Sequence, residues 1–182
     1  RRALRPRKRG GMSAGLATLA VLGGTGPEGA GLAFRWLRAG HPVIIGSRNA
    51  ARAQATAEKL GNGARGLTNV EAARACDIAI LTVPFAAQKP TLSDVKDALA
   101  GKILVDVTVP LVPPRVARVQ LPPEGSAAQA AQLVLGDDVR VVSAFQSVSA
   151  HHLRDPDHEI DCDVLICGDD VEAREQVVRL AA

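Results

Sequence analysis

The run Thr18-Leu-Ala-Val-Leu-Gly-Gly-Thr-Gly-Pro-Glu-Gly-Ala-Gly31 constrains the fold of this chain more than any other stretch. Thr18 to Leu22 is apolar and β-favouring, and it runs directly into Gly24-Thr-Gly-Pro-Glu-Gly29. A helical pattern follows, with Leu32, Phe34, Trp36 and Leu37 set among Ala and Arg. Strand, glycine turn and helix form the context in which a G-x-G-x-x-G spacing acquires physical meaning. Gly24 permits the tight turn, and Gly26 lets backbone N–H groups approach a pyrophosphate. Gly29 lets the helix sit close to the strand, and the helix N-terminus offers partial positive charge to the anion.

A second strand, Pro42-Val-Ile-Ile-Gly46, follows one helix later and ends in Ser47-Arg48-Asn49. A dinucleotide fold places its ribose-reading residue about 20 positions past the glycines, and an NAD-preferring site puts Asp or Glu there. This chain instead presents a hydroxyl and a guanidinium, with Arg52 one helical turn beyond Arg48 and expected on the same face. Ser47, Arg48 and Arg52 suit a 2′-phosphate, which arginine can hold bidentately. The expected dinucleotide is NADP(H).

The rest of the chain supplies the scaffold. Helix is expected over Ala50–Leu60, stopped by Gly61-Asn62-Gly63. A short strand is expected near Ala64–Leu67, and then a helix over Val70–Ala75 capped by Asn69. Asp77–Val83 is a continuous apolar run, as for a central strand covered on both faces. Helix is expected over much of Ala86–Leu99, strand over Lys102–Val107, and loop across the proline-rich Pro110–Pro123. Helix over Glu124–Leu135, strands at Val139–Ser143 and Asp163–Cys167, and a last helix over Val171–Leu180 complete the pattern. Alternating strands and helices predict an α/β chain with a Rossmann-type, doubly wound, mostly parallel sheet.

Composition narrows the partners. The 182 residues suit one domain, and aromatics make up only 2% with no tyrosine, so no surface for stacking nucleic-acid bases is expected. The net charge of +3 comes from the start of the chain, where residues 1–11 carry six basic groups and no acid. Beyond them 16 basic residues face 19 acidic ones. Residues 1–15 are therefore expected to be a basic extension, disordered or foreign to the natural chain, with Met12 the natural start. Residues 16–182 would be the NADP-binding domain. The basic and apolar opening imitates a secretory signal, but cleavage would remove the first strand. No apolar run reaches the length of about 20 residues that spans a bilayer. With three cysteines (Cys76, Cys162, Cys167) in no metal-ligand spacing, a reducing, cytoplasmic setting is expected. Cys162 and Cys167 are expected near or on a strand, where small thiols are commonly buried.

In a doubly wound sheet ligands bind beyond the carboxyl ends of the strands. The segments there are Gly23–Gly29, Ser47–Arg52, Thr82–Phe85, Thr108–Leu111 and Ala144–His152. They hold no Ser-His-Asp set, paired carboxylates or metal cluster, so no catalytic side chain and no metal ligand is assigned. Direct hydride transfer needs neither, since the protein mainly supplies proximity, orientation and exclusion of water. His151, His152 and His158 with Asp155 are set aside as a metal site, because adjacent side chains on a regular element do not face one another. Glu28, close to the pyrophosphate, is expected to point outward.

These pieces resemble the coenzyme F420-dependent NADP oxidoreductases. The resemblance is carried by Leu22-Gly-Gly-Thr-Gly-Pro-Glu-Gly29, Gly46-Ser-Arg48, Ala75-Cys-Asp-Ile-Ala-Ile-Leu-Thr-Val-Pro84, Ser126-Ala-Ala128, Val141-Val-Ser-Ala144 and Cys167-Gly-Asp-Asp170, in order over residues 16–180. It implies reversible hydride transfer between C4 of the nicotinamide of NADP(H) and C5 of the deazaflavin F420. By the same resemblance Thr25, Gly26, Pro27 and Glu28 line the NADP phosphates, while Val83, Val109 and Ala150 border the two rings, with Pro84 beside Val83. Ala87 and Gln146 stand where some members carry a larger polar residue and a histidine. Members also continue past residue 182 with a segment that helps close the F420 pocket, and a homodimer is expected where that segment is present. Partners are then small-molecule redox coenzymes, with neither nucleic acid nor membrane.

Two alternatives use the same nucleotide half. Imine reductases of the pyrroline-5-carboxylate reductase type share it, but add a large helical domain. A non-catalytic NADP(H)-binding module would keep Gly24 to Arg52 and lose the deazaflavin pocket.

Overall fold

A computed structural model describes residues 15–111, 114 and 118–182. The expected basic extension lies almost wholly outside the described residues, as do Met12 and parts of the proline-rich loop.

The described residues form a six-stranded sheet in the order β3-β2-β1-β4-β5-β6, with every pairing parallel. The strands are β1 (Leu19–Leu22), β2 (Val43–Ser47), β3 (Arg65–Thr68), β4 (Ile78–Leu81), β5 (Ile103–Asp106) and β6 (Arg140–Ser143). The α/β Rossmann-type expectation holds, and this order places a crevice where the winding reverses at β1. Leu22 pairs with Gly46 and Leu81, and Leu81 with Asp106, so the carboxyl ends stand level along one edge.

Helices cover both faces, which is why β1, β2, β4 and β5 are buried throughout. On one face α1 (Pro27–Arg38), α2 (Ala50–Leu60) and α7 (Val171–Ala181) contribute Leu32, Trp36, Ala53, Ala57 and Val177. On the other α3 (Asn69–Ala75), α4 (Gln88–Val95) and α5 (Ala127–Leu135) contribute Ala73, Leu92, Ala131 and Leu135. A short α6 (Ala150–Leu153) packs on α1. With so few aromatics, one pair matters: Trp36 meets Phe145 edge-on, with centroids 5.6 Å apart.

Four expectations are corrected. Thr68, not Asn69, caps α3: its hydroxyl accepts from Glu71 N–H while the Glu71 carboxylate accepts from Thr68 N–H. This is the reciprocal capping box, and Thr68-x-x-Glu71 spelled it. Helix α5 begins at Ala127 under a Ser126 cap, three residues later than expected. No strand forms over Asp163–Cys167; a single antiparallel bridge joins Cys167 to Ser143 at the open edge. Cys162 and Cys167 are exposed, and only Cys76 is a buried thiol, its pKa pushed up to about 11 by burial.

Candidate functional site

The turn between β1 and α1 is built by three different uses of glycine. Gly23 adopts a left-handed φ of +73°, where a Cβ would fall on Val83 Cγ1. The positive φ thus belongs to Gly23, not to Gly24. Gly24 is needed for space, since a Cβ there would lie 2.7 Å from Val21 O. At Gly29 a Cβ would fall on Thr82 Oγ1 and 2.7 Å from Gly24 Cα, so α1 does sit close on the strand ends. Gly26 differs, because a Cβ there would meet only Gly23 O, at 3.9 Å. The space beside Gly26 is open on the side from which a ligand would approach the backbone.

Gly26 is also the N-cap of α1, with Pro27 in the first turn and no side chain capping the helix. The first N–H groups of a helix have no intrahelical acceptor and carry its positive end. An uncapped end beside an open glycine is where an anionic group fits.

A cleft of about 510 Å³ opens at this turn, lined by Thr25 and Gly26, by Ser47, Arg48 and Arg52, and by Val83 and Pro84. Seven of the sequence-derived residues therefore share one cavity. Arg48 lies before α2, whose first helical residue is Ala50, so the two arginines do not share a helix face. They converge because Asn49 caps α2 by accepting from Arg52 N–H at 3.1 Å, while Ser47 Oγ accepts from Asn49 N–H at 3.2 Å. Both guanidinium groups are exposed, and among the described residues neither is paired with a carboxylate.

The remaining site residues stand elsewhere. Gly24 and Gly29 are buried behind the turn, and Pro27 and Glu28 start the helix without lining the cleft. Glu28 is not turned outward: its carboxyl is partly buried, one oxygen is out of water without a hydrogen-bond partner, and burial raises its pKa. Val109 and Ala150 are half-buried on neighbouring carboxyl-end segments, outside this cavity.

Asn69 lines the cleft and was missed as a site residue. Freed from capping by Thr68, its Oδ1 accepts from Gly23 N–H at 3.2 Å and so fastens the glycine turn to the start of α3. Gly46 makes room for it, since a Cβ there would lie 2.8 Å from Asn69 Oδ1. The capping box was the available signal. Thr82 also lines the cleft and donates through Oγ1 to Leu22 O.

Among the described residues no group of three His, Cys, Asp or Glu is gathered as metal ligands. His152 and His158 instead stack, with ring centroids 4.1 Å apart. Arg35 holds the same turn, donating to the carbonyls of His152, Leu153, Asp155 and His158. No helix among the described residues is long and apolar enough to cross a membrane.

Residues 18–110 match the family described as NADP oxidoreductase, coenzyme F420-dependent. The F420-dependent NADP reductase of Methanothermobacter marburgensis is 42% identical over 174 residues, spanning 90% of this chain and 78% of that protein. The protein of the same name from Methanocaldococcus jannaschii is 40% identical over 175 residues, with the same coverage. Among solved structures, one from Arthrobacter sp. FB24 superposes with a TM-score of 0.76 at 24% identity, covering 91% of this chain and 79% of that one, and shows the shared fold.

Proposed function

This chain belongs to the coenzyme F420-dependent NADP oxidoreductases, and on that premise we propose that it transfers hydride reversibly between NADP(H) and F420. NADPH supplies a hydride from nicotinamide C4, the deazaflavin accepts it at C5, and one proton from solvent balances the reduced ring.

The observation that carries this reading is the convergence on one cleft of an uncapped helix start and two guanidinium groups that have no carboxylate partner among the described residues. The residues fit the dinucleotide. Arg48, Arg52 and Ser47 hold the 2′-phosphate, and Thr25 and Gly26 offer backbone to the pyrophosphate. Val83 and Pro84 flank the nicotinamide, and Val109 and Ala150 border the deazaflavin beside it. Small side chains at these positions allow two flat rings to stack closely. No side chain is asked to bond covalently with either coenzyme, so catalysis is mostly orientation and exclusion of water.

The imine-reductase and binding-module alternatives are not favoured by the relatives found. The reading includes small-molecule partners rather than nucleic acid, a homodimer where the family's C-terminal segment is present, and the cytoplasm, a setting in keeping with two exposed free thiols. Mixing the protein with NADPH and F420 and following loss of the deazaflavin's visible absorbance tests it. Turnover is expected. NADPH binding without turnover would leave only a binding module.

A further inference from the structure

A buried polar cluster lies behind the strand ends and is used by nothing described so far. Gln88 opens α4, directly after Ala87 of the cleft wall, and is wholly buried. Its amide nitrogen lies 2.9 Å from Asp106 Oδ2, 3.0 Å from Thr108 Oγ1 and 2.9 Å from Ala127 O. Three acceptors share two N–H groups, and the amide oxygen is buried with no partner. Such an arrangement is costly to keep inside a protein.

The cluster adds side-chain ties to the backbone bonds that already join these strand ends, Val107 N–H to Leu81 O and Ala144 N–H to Asp106 O. Asp106 ends β5, and its other carboxyl oxygen accepts from Thr108 N–H at 3.1 Å, which fixes the exit toward Val109. Gln146, after β6, donates to Asp106 O at 2.8 Å and to Ser143 Oγ at 2.9 Å. The exits of β4, β5 and β6, which carry Val83–Ala87, Val109 and Ala150, are thus referred to one point. Asp106 is wholly buried, and that burial raises its pKa against the opposing hydrogen bonds from Thr108 and Gln88.

We propose that Gln88 is a positioning residue for hydride transfer, holding the β4 exit against the β5 exit so that the two rings meet at reacting distance. The inference rests on the function proposed above. Gln88 touches neither coenzyme, and the grip on the phosphates lies at β1 and β2, so binding and chemistry should separate when it is changed.

The test compares wild type with Q88M, which keeps the length of the side chain, and with T108V, which removes one acceptor at constant volume. Three quantities are measured: NADPH affinity and F420 affinity by fluorescence titration, and the single-turnover rate with ordinary and 4-deuterated NADPH. In Q88M the NADPH affinity should stay within about twofold, while the transfer rate falls by about tenfold or more, as misplacement of reacting groups does. The deuterium effect should grow as transfer becomes more fully rate-limiting. T108V should show a smaller loss of the same kind. An unchanged rate, or a rate and NADPH affinity that fall together, would overturn the proposal; if Q88M does not fold, T108V decides alone. Absence of turnover in the wild type would instead refute the underlying function.

Discussion

Arg48 shows how much can rest on one side chain. It is exposed, unpaired among the described residues, and set at the end of β2 where a dinucleotide's ribose is read. A charge-assisted hydrogen bond to a phosphate is worth about 1.5–3 kcal/mol, so Arg48→Ala should weaken NADP(H) by roughly 10- to 150-fold. NAD(H), lacking that phosphate, should lose little, and paired titrations of the two dinucleotides check this. Glu28 makes the opposite contribution. Glu28 lies outside the cleft lining but in the first turn of α1, where burial already raises its pKa; negative charge bound at that helix start should raise it further, so binding takes up a proton. Affinity for NADP(H) should therefore fall as pH rises through the Glu28 pKa. Titrating wild type and Glu28→Gln across pH isolates this contribution, because the ligand's own ionisation is common to both. The variant should bind more tightly at high pH.

At the scale of elements, what could be read from the chain depended on how local the cause was. The apolar runs of β1, β2, β4 and β5 are buried on both faces, so composition alone declared them. The arginine pair was legible because a turn and a cap, both short-range, bring its members together. Asp163–Cys167 has the same β-favouring residues but lies at an open edge, where only one bridge forms and Leu165 stays exposed. Nothing in the segment itself reports whether a neighbour will pair with it. Gln88 and Asp106 were equally silent, since their meeting spans 18 residues and depends on how α4 settles on β5. The hold of α1 on α6 is a further contact of this long-range kind. Arg35 satisfies four carbonyls more than 115 positions away, and it should keep the segment carrying Ala150 in place. Arg35→Met should cost about 2–3 kcal/mol, which for a chain of this size lowers Tm by about 4–12 °C. Hydrogen exchange should rise over residues 150–158, with the glycine turn unaffected; uniform acceleration along the chain would contradict this.

At the scale of the whole molecule, the sheet sets a division of labour. On the proposed function, the exits of β1 and β2 would hold the phosphorylated end of one coenzyme, and the exits of β4, β5 and β6 would frame the rings. The claim behind both halves is that hydride passes straight from one ring to the other, with no group of the protein intervening. The direct test is to incubate the protein with NADPH carrying deuterium at the transferred C4 position and with F420, and to locate the label in the product. Deuterium should appear at C5 of the reduced deazaflavin, without loss to water and far faster than from labelled NADH. Label released to solvent, or equal transfer from the unphosphorylated dinucleotide, would contradict the account.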